Sequence, residues 1–134
     1  MPDRIRRALA PHEGDAAPLP AGVHRIALPT PFAVGRINTY LLVGDPLTLV
    51  DCGVNTGVSL DTLEAALESL GYRIEDLEQV ILTHEHFDHI GLAEIIARRA
   101  GCPVAAFASL QPLFDPDENA GDVVRSRISW GTAQ

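Results

Sequence analysis

Three of the five histidines fall within six residues, His84, His86 and His89, and Asp88 stands among them. A shuffled chain of this composition would produce one H-x-H-x-D-H run roughly 0.0005 times. In extended backbone, residues two apart point the same way, so His84 and His86 can offer two imidazoles to one metal ion. Asp88 and His89 are adjacent and point elsewhere, which suits a second ion close by. Mixed imidazole and carboxylate donors fit zinc, iron or manganese better than calcium. Two such ions about 3.5–4 Å apart can share one water, lower its pKa toward ~7 and polarise a carbonyl or phosphoryl oxygen. The competing reading is plainer: surface histidines at a strand end, with Asp88 and His89 capping the next helix. The joint spacing of four donor side chains favours ligation.

The remaining polar residues offer less. Asp51 in LVDCG has the type and position of a turn former, a common role for aspartate. His12 and His24 read as structural or solvated, Glu85 as a solvated side chain, and Trp130 as packing. Cys52 and Cys102 are too few for a disulfide framework. Both sit in apolar contexts (LVDCGV and AGCPVA) and read as small buried hydrophobes in a reducing compartment.

The elements that must position the histidines are legible from periodicity. Residues 1–21, with Pro2, Pro11, Pro18 and Pro20, read as a flexible arm, and 22–134 as one domain. VHRIAL alternates like a strand. Ile37–Val43 is β-branched and aromatic, Gly44-Asp45-Pro46 makes a turn, and Leu47–Val50 follows, giving a hairpin with a three-residue loop. Leu60, Leu63, Leu67 and Leu70 make one apolar stripe over a helix at 57–70, stopped by Gly71. QVIL at 79–82 is a nearly continuous apolar run that fits a strand buried on both faces. The histidines come next, and a helix over 90–100 follows, ended by Arg98, Arg99, Gly101 and Pro103. PVAAF is a further strand, and VVRSRISW a helix or a strand. The order predicts an α/β or α+β layered domain, with the histidines in a loop at the C-terminal end of a strand, where such folds place their sites.

Composition narrows the function. The 134 residues allow one ordinary domain, and 46% hydrophobic with 21% charged is globular usage. The formal charge of −8 opposes nucleic acid and anionic membranes, and aromatics at 5% are poor material for stacking bases. No run approaches the ~20 apolar residues of a membrane helix, and the N-terminus has no secretory h-region. The expectation is a cytoplasmic protein acting on a small molecule, with no nucleic-acid or membrane partner.

THEHFDHIGL after a buried strand resembles the signature of the metallo-β-lactamase-fold superfamily, and NTYLL followed by LTLVDCG resembles the strand pair that precedes it. The similarity covers about residues 22–107. It implies the N-terminal half of an αββα sandwich. It implies that His84 and His86 bind a first metal, that Asp88 and His89 bind a second, and that Asp51 supports the loop by hydrogen bonding. Asp88 is thereby the catalytic as well as a metal-binding carboxylate. The implied cofactor is zinc, one or two ions, with iron or manganese as alternatives. The implied activity is hydrolysis, by a metal-bound hydroxide, of an ester, thioester, lactone or phosphodiester.

The chain departs from that pattern in its second half. The family takes a further histidine, a bridging aspartate and a last histidine from downstream, and no histidine follows His89. A sandwich cut in two exposes the inner face of its sheet, so the expected partner is a missing C-terminal half or another copy of the chain. Two alternatives stand beside the hydrolase: a non-catalytic truncated or split metal-binding fragment, and a mononuclear iron oxygenase acting on persulfides.

Overall fold

The computed structural model describes residues 2–10, 19–83, 90–107 and 128–131. Six strands form one sheet in sequence order: β1 (Val23–Pro29), β2 (Arg36–Leu42), β3 (Thr48–Val50), β4 (Gln79–Ile81), β5 (Val104–Phe107) and β6 (Ile128–Gly131). The first three pair antiparallel, with Ile26 opposite Thr39 and Leu41 opposite Leu49. From β3 onward the pairing is parallel, with Leu49 beside Val80, Val80 beside Val104 and Val104 beside Ile128. Parallel neighbours need crossovers. Among the described residues these are helix α2 (Gly57–Ser69) between β3 and β4, and α3 (Ala93–Ala100) between β4 and β5, while the connection from β5 to β6 lies outside them. Helix α1 (Asp3–Leu9) packs on β1 and α2. This is the mixed α/β layering that the order of elements predicts.

Local chemistry sets the helix ends. Thr56 caps α2 by accepting from the Ser59 N–H at 3.2 Å. At the other end Gly71 takes φ +92°, so that Tyr72 N–H reaches the Leu67 carbonyl at 2.9 Å and Gly71 N–H that of Glu68 at 3.0 Å. This six-to-one and five-to-two closure is a Schellman motif, and it satisfies carbonyls that the helix leaves unpaired. Helix α3 stops at Gly101, φ +66°, where the N–H groups of Gly101 and of Cys102 (3.2 Å) both reach the Ala97 carbonyl.

The sheet has two unlike faces. Ile26, Leu28, Ile37, Leu41, Leu49, Val80 and Val104 alternate onto one face and are buried with Leu63, Leu67 and Ile96 of the helices in one core. Arg25, Tyr40, Val50, Ile81 and Ala105 form a cross-strand row on the opposite face, and all five are only half-buried. The Arg25 guanidinium lies 6.0 Å from the Tyr40 ring centroid.

Four sequence expectations need correction. The segment 1–21 is not a flexible arm throughout, since 3–9 is helical. Pro2 sits where a missing N–H costs nothing and its carbonyl accepts from Ile5 and Arg6, while Ile5 and Ala8 bury one stripe. Helix α3 runs from Ala93 and not continuously from Ile90, because the chain turns at Gly91 and Leu92, where the Leu92 N–H donates to the Gly53 carbonyl at 3.2 Å. The β2–β3 connection spans 43–47 rather than three residues. Leu47 is tied to the approach of β4 instead, its N–H on Glu78 Oε1 at 3.1 Å and its carbonyl accepting from Glu78 and Gln79. Finally, QVIL is not covered on both sides. Val80 and Leu82 are buried, but Ile81 belongs to the half-buried face.

Candidate metal centre

Residues 84–89 lie outside the described residues, so His84, His86, Asp88 and His89 are known here by sequence and by the stems on either side. Among the described residues, no three His, Cys, Asp or Glu side chains gather closely enough to hold a metal ion. Both stems, at Thr83 and Leu92, are held by the turn that follows β3.

Asp51 is the first residue of that turn. Its φ of +59° is left-handed, unusual for any residue but glycine and most accessible to Asn and Asp. Among the described residues, three hydrogen bonds hold it there. Its N–H donates to the Ile81 carbonyl at 2.8 Å, continuing the β3–β4 ladder by one step. Its buried carboxylate accepts from Thr83 twice, Oδ1 from the N–H at 2.9 Å and Oδ2 from the hydroxyl at 2.6 Å. The two bonds to the carboxylate contribute about 1.5–3 kcal/mol each, together more than the roughly 1–2 kcal/mol of left-handed backbone strain. The expected support of the histidine loop by Asp51 therefore has a contact: Asp51 grips the residue directly before His84.

Gly53 completes the turn at φ +82°. A Cβ there would stand 2.7 Å from Leu28 Cδ1 and 2.7 Å from Ser59 Oγ, so both conformation and space demand glycine. Its carbonyl accepts from Leu92 N–H at 3.2 Å, on the far side of the histidine run. Between the two, Cys52 is fully buried. Burial, and then the Asp51 carboxylate, push its thiol far above the usual range against a smaller opposing hydrogen bond from the Leu92 backbone. The thiol is neutral, and Cys102 is likewise buried, neither cysteine being in a disulfide.

Sequence reasoning placed Gly53 with Asp51 in the Asp-x-Gly that ends the strand pair, but missed Thr83 and Leu92 as their partners. Thr83 and Asp51 are 32 residues apart, and only the β3–β4 pairing brings them together. Of the other residues weighed, His24 lies in β1 opposite Leu41; near it in the sheet, Thr39 of β2 is buried with its hydroxyl donating to the Ile26 carbonyl at 3.1 Å. Trp130 falls in β6, opposite Ala106 in the register. His12 and Glu85 lie outside the described residues. No helix among the described residues is long and apolar enough to cross a membrane.

The donor set fits a transition metal: paired imidazoles at spacing two and an adjacent carboxylate and imidazole, next to a stem fixed by a buried carboxylate. Comparison with known proteins agrees with this chemistry. A family model described as the metallo-beta-lactamase superfamily matches residues 33–129. The chain is 46% identical over 72 residues to a probable metallo-hydrolase, YqjP, of Bacillus subtilis, a match covering 54% of this chain and 23% of that protein. It is 32% identical over 99 residues to a hydroxyacylglutathione hydrolase of Methylobacterium nodulans, covering 71% of this chain and 37% of that one. Its fold superposes on a metallo-beta-lactamase family protein of Thermus thermophilus, TTHA1429, with a TM-score of 0.65 and 25% identity, over 84% of this chain and 44% of that one. The matches thus span less than half the length of these relatives.

Proposed function

The chain belongs to the metallo-beta-lactamase superfamily, and from that premise we propose that it carries the first metal-binding half of a hydrolase centre. His84 and His86 hold one ion, Asp88 and His89 hold or share a second, and Asp51 fixes the stem before them. The metal is zinc, with iron or manganese admitted by the same donors. When bound, such an ion supplies Lewis acidity, which polarises an acyl or phosphoryl oxygen and makes water a nucleophile near neutral pH. The substrate is a small molecule with an ester, thioester, lactone or phosphodiester bond. The protein's own share of the work is to set the ligand directions and keep them set. The observation that carries the reading is the H-x-H-x-D-H run beginning one residue after Thr83, whose N–H and O–H both end on one buried carboxylate.

The half-buried row from Arg25 to Ala105 favours a second layer over the sheet. We infer that the complete centre needs that layer, supplied by further chain or by another copy, and that substrate contacts come largely from it. The competing reading is a fragment that binds metal weakly or not at all and catalyses nothing alone. Elemental analysis of the purified, desalted chain separates the two. One or two equivalents of zinc or iron, lost in His86→Ala and Asp88→Ala, is the expected result. A folded chain without metal, or equal metal in both variants, refutes the hydrolase centre. Iron with persulfide-dependent oxygen uptake would make it an oxygenase instead.

A further inference from the structure

We propose that the Thr83 hydroxyl is a positioning group for metal ligation, acting with the turn 51–53 as a clamp on both stems of the histidine run. The proposal rests on the metal-centre reading above and goes beyond it by assigning work to residues that are not ligands.

The geometry has three parts. Thr83 presents two donors to one carboxylate, its N–H to Asp51 Oδ1 at 2.9 Å and its hydroxyl to Oδ2 at 2.6 Å. The first fixes the peptide plane of Thr83 and the second its side-chain torsion, so the residue joined to His84 has neither freedom left. On the other stem, Leu92, the N-cap of α3, has its N–H held by the Gly53 carbonyl at 3.2 Å, a donor the helix itself leaves unpaired. Both anchors therefore belong to one three-residue turn. That turn is itself fixed by the Asp51 bond to Ile81 at 2.8 Å and by the packing of Gly53 between Leu28 and Ser59.

The hydroxyl bond is not part of the sheet. Strand β4 ends at Ile81, and the Thr83 N–H already ties the backbone to Asp51. What the hydroxyl adds is direction to the segment that follows. A stem ordered during folding need not be ordered again when metal binds, so the entropy cost falls on folding and not on affinity. Partners of this kind behind a ligand typically change metal affinity 10–100-fold.

The test uses the full chain and cobalt(II) as the probe, read by its visible absorption. Thr83→Val keeps the shape and removes the hydroxyl; Thr83→Ser keeps the hydroxyl. The expected result is cobalt binding 10–100-fold weaker in Thr83→Val, with a changed band shape, and within about threefold of the unsubstituted protein in Thr83→Ser. A merely structural role would lower the urea midpoint of the metal-free valine variant but leave its affinity and spectrum alone. Should Thr83→Val not fold, Asp51→Asn, near-isosteric and poorer as a double acceptor, is titrated in its place. Unchanged affinity in a folded Thr83→Val or Asp51→Asn, or equal losses in the valine and serine variants, overturns the clamp and leaves the metal centre standing. No cobalt bound by the unsubstituted protein overturns both.

Discussion

Replacing Gly53 with alanine should cost about 2–4 kcal/mol of folding stability, and the structure supplies each contribution. At φ +82° an L side chain is strained by roughly 1–2 kcal/mol. The added methyl would lie 2.7 Å from both Leu28 Cδ1 and Ser59 Oγ, inside any real contact distance. Overpacking of this kind costs about 1–3 kcal/mol, and the stiffer unfolded chain returns about 0.4–1 kcal/mol. With a urea m-value of about 2 kcal/mol/M, the unfolding midpoint should fall by about 1–2 M. A second substitution separates strain from crowding. The Ser59 hydroxyl is buried and has no partner among the described residues, so Ser59→Ala alone should be neutral or stabilising by up to about 1 kcal/mol. In the double variant it removes one of the two clashes, and about 0.5–1.5 kcal/mol of the Gly53→Ala loss should return as coupling energy. A loss below about 0.5 kcal/mol for Gly53→Ala, or strict additivity with Ser59→Ala, would refute the account of this turn.

Other expectations follow from the packing and the charges. Leu63→Ala empties a fully buried position of α2 and should cost about 2–5 kcal/mol in urea unfolding. Arg99 of α3 bridges Glu64 of α2 and Glu75 of the 3-10 helix Ile74–Asp76, with its Nη2 2.7 Å from Glu75 Oε1. Since Arg99 is a third exposed, Arg99→Met should cost only about 0.5–1 kcal/mol, and the difference should shrink in 1 M salt. The Arg99 hydrogen bond holds the Glu75 carboxyl below its ordinary value. Its stabilising effect is therefore present above the ordinary glutamate range and lost as pH falls through the lowered folded value. Unfolding midpoints between pH 6 and pH 3 should fall less steeply in Arg99→Met than in the unsubstituted protein. Equal slopes would show that the pair does not couple to folding.

Local signals were enough for much of this protein. The donor run is a matter of spacing within six residues, and its chemistry needs no tertiary contact to be recognised. Helix α2 is readable because the leucine stripe and Gly71 act within a turn or two of the chain, while the Thr56 cap is seen only in the structure. The strands were readable because burial on one face imposes alternation. Helix α1 was not: prolines on either side read as breakers, and only contact with β1 and α2 gives Ile5 and Ala8 somewhere to be buried. Tertiary structure alone decided the rest. No local pattern marks Thr83 as the partner of Asp51, which lies 32 residues away. The parallel pairing of β3 with β4 brings their ends together and makes one aspartate an acceptor for both donors of that threonine. Likewise, QVIL is apolar whichever way it faces. Which of its side chains is covered depends on where the helices lie, and they cover Val80 and Leu82 while leaving Ile81 half-buried on the other face. Sequence specifies which groups can do chemistry because that is a property of each residue. Their alignment depends on contacts between distant segments, and those exist only once the sheet has formed.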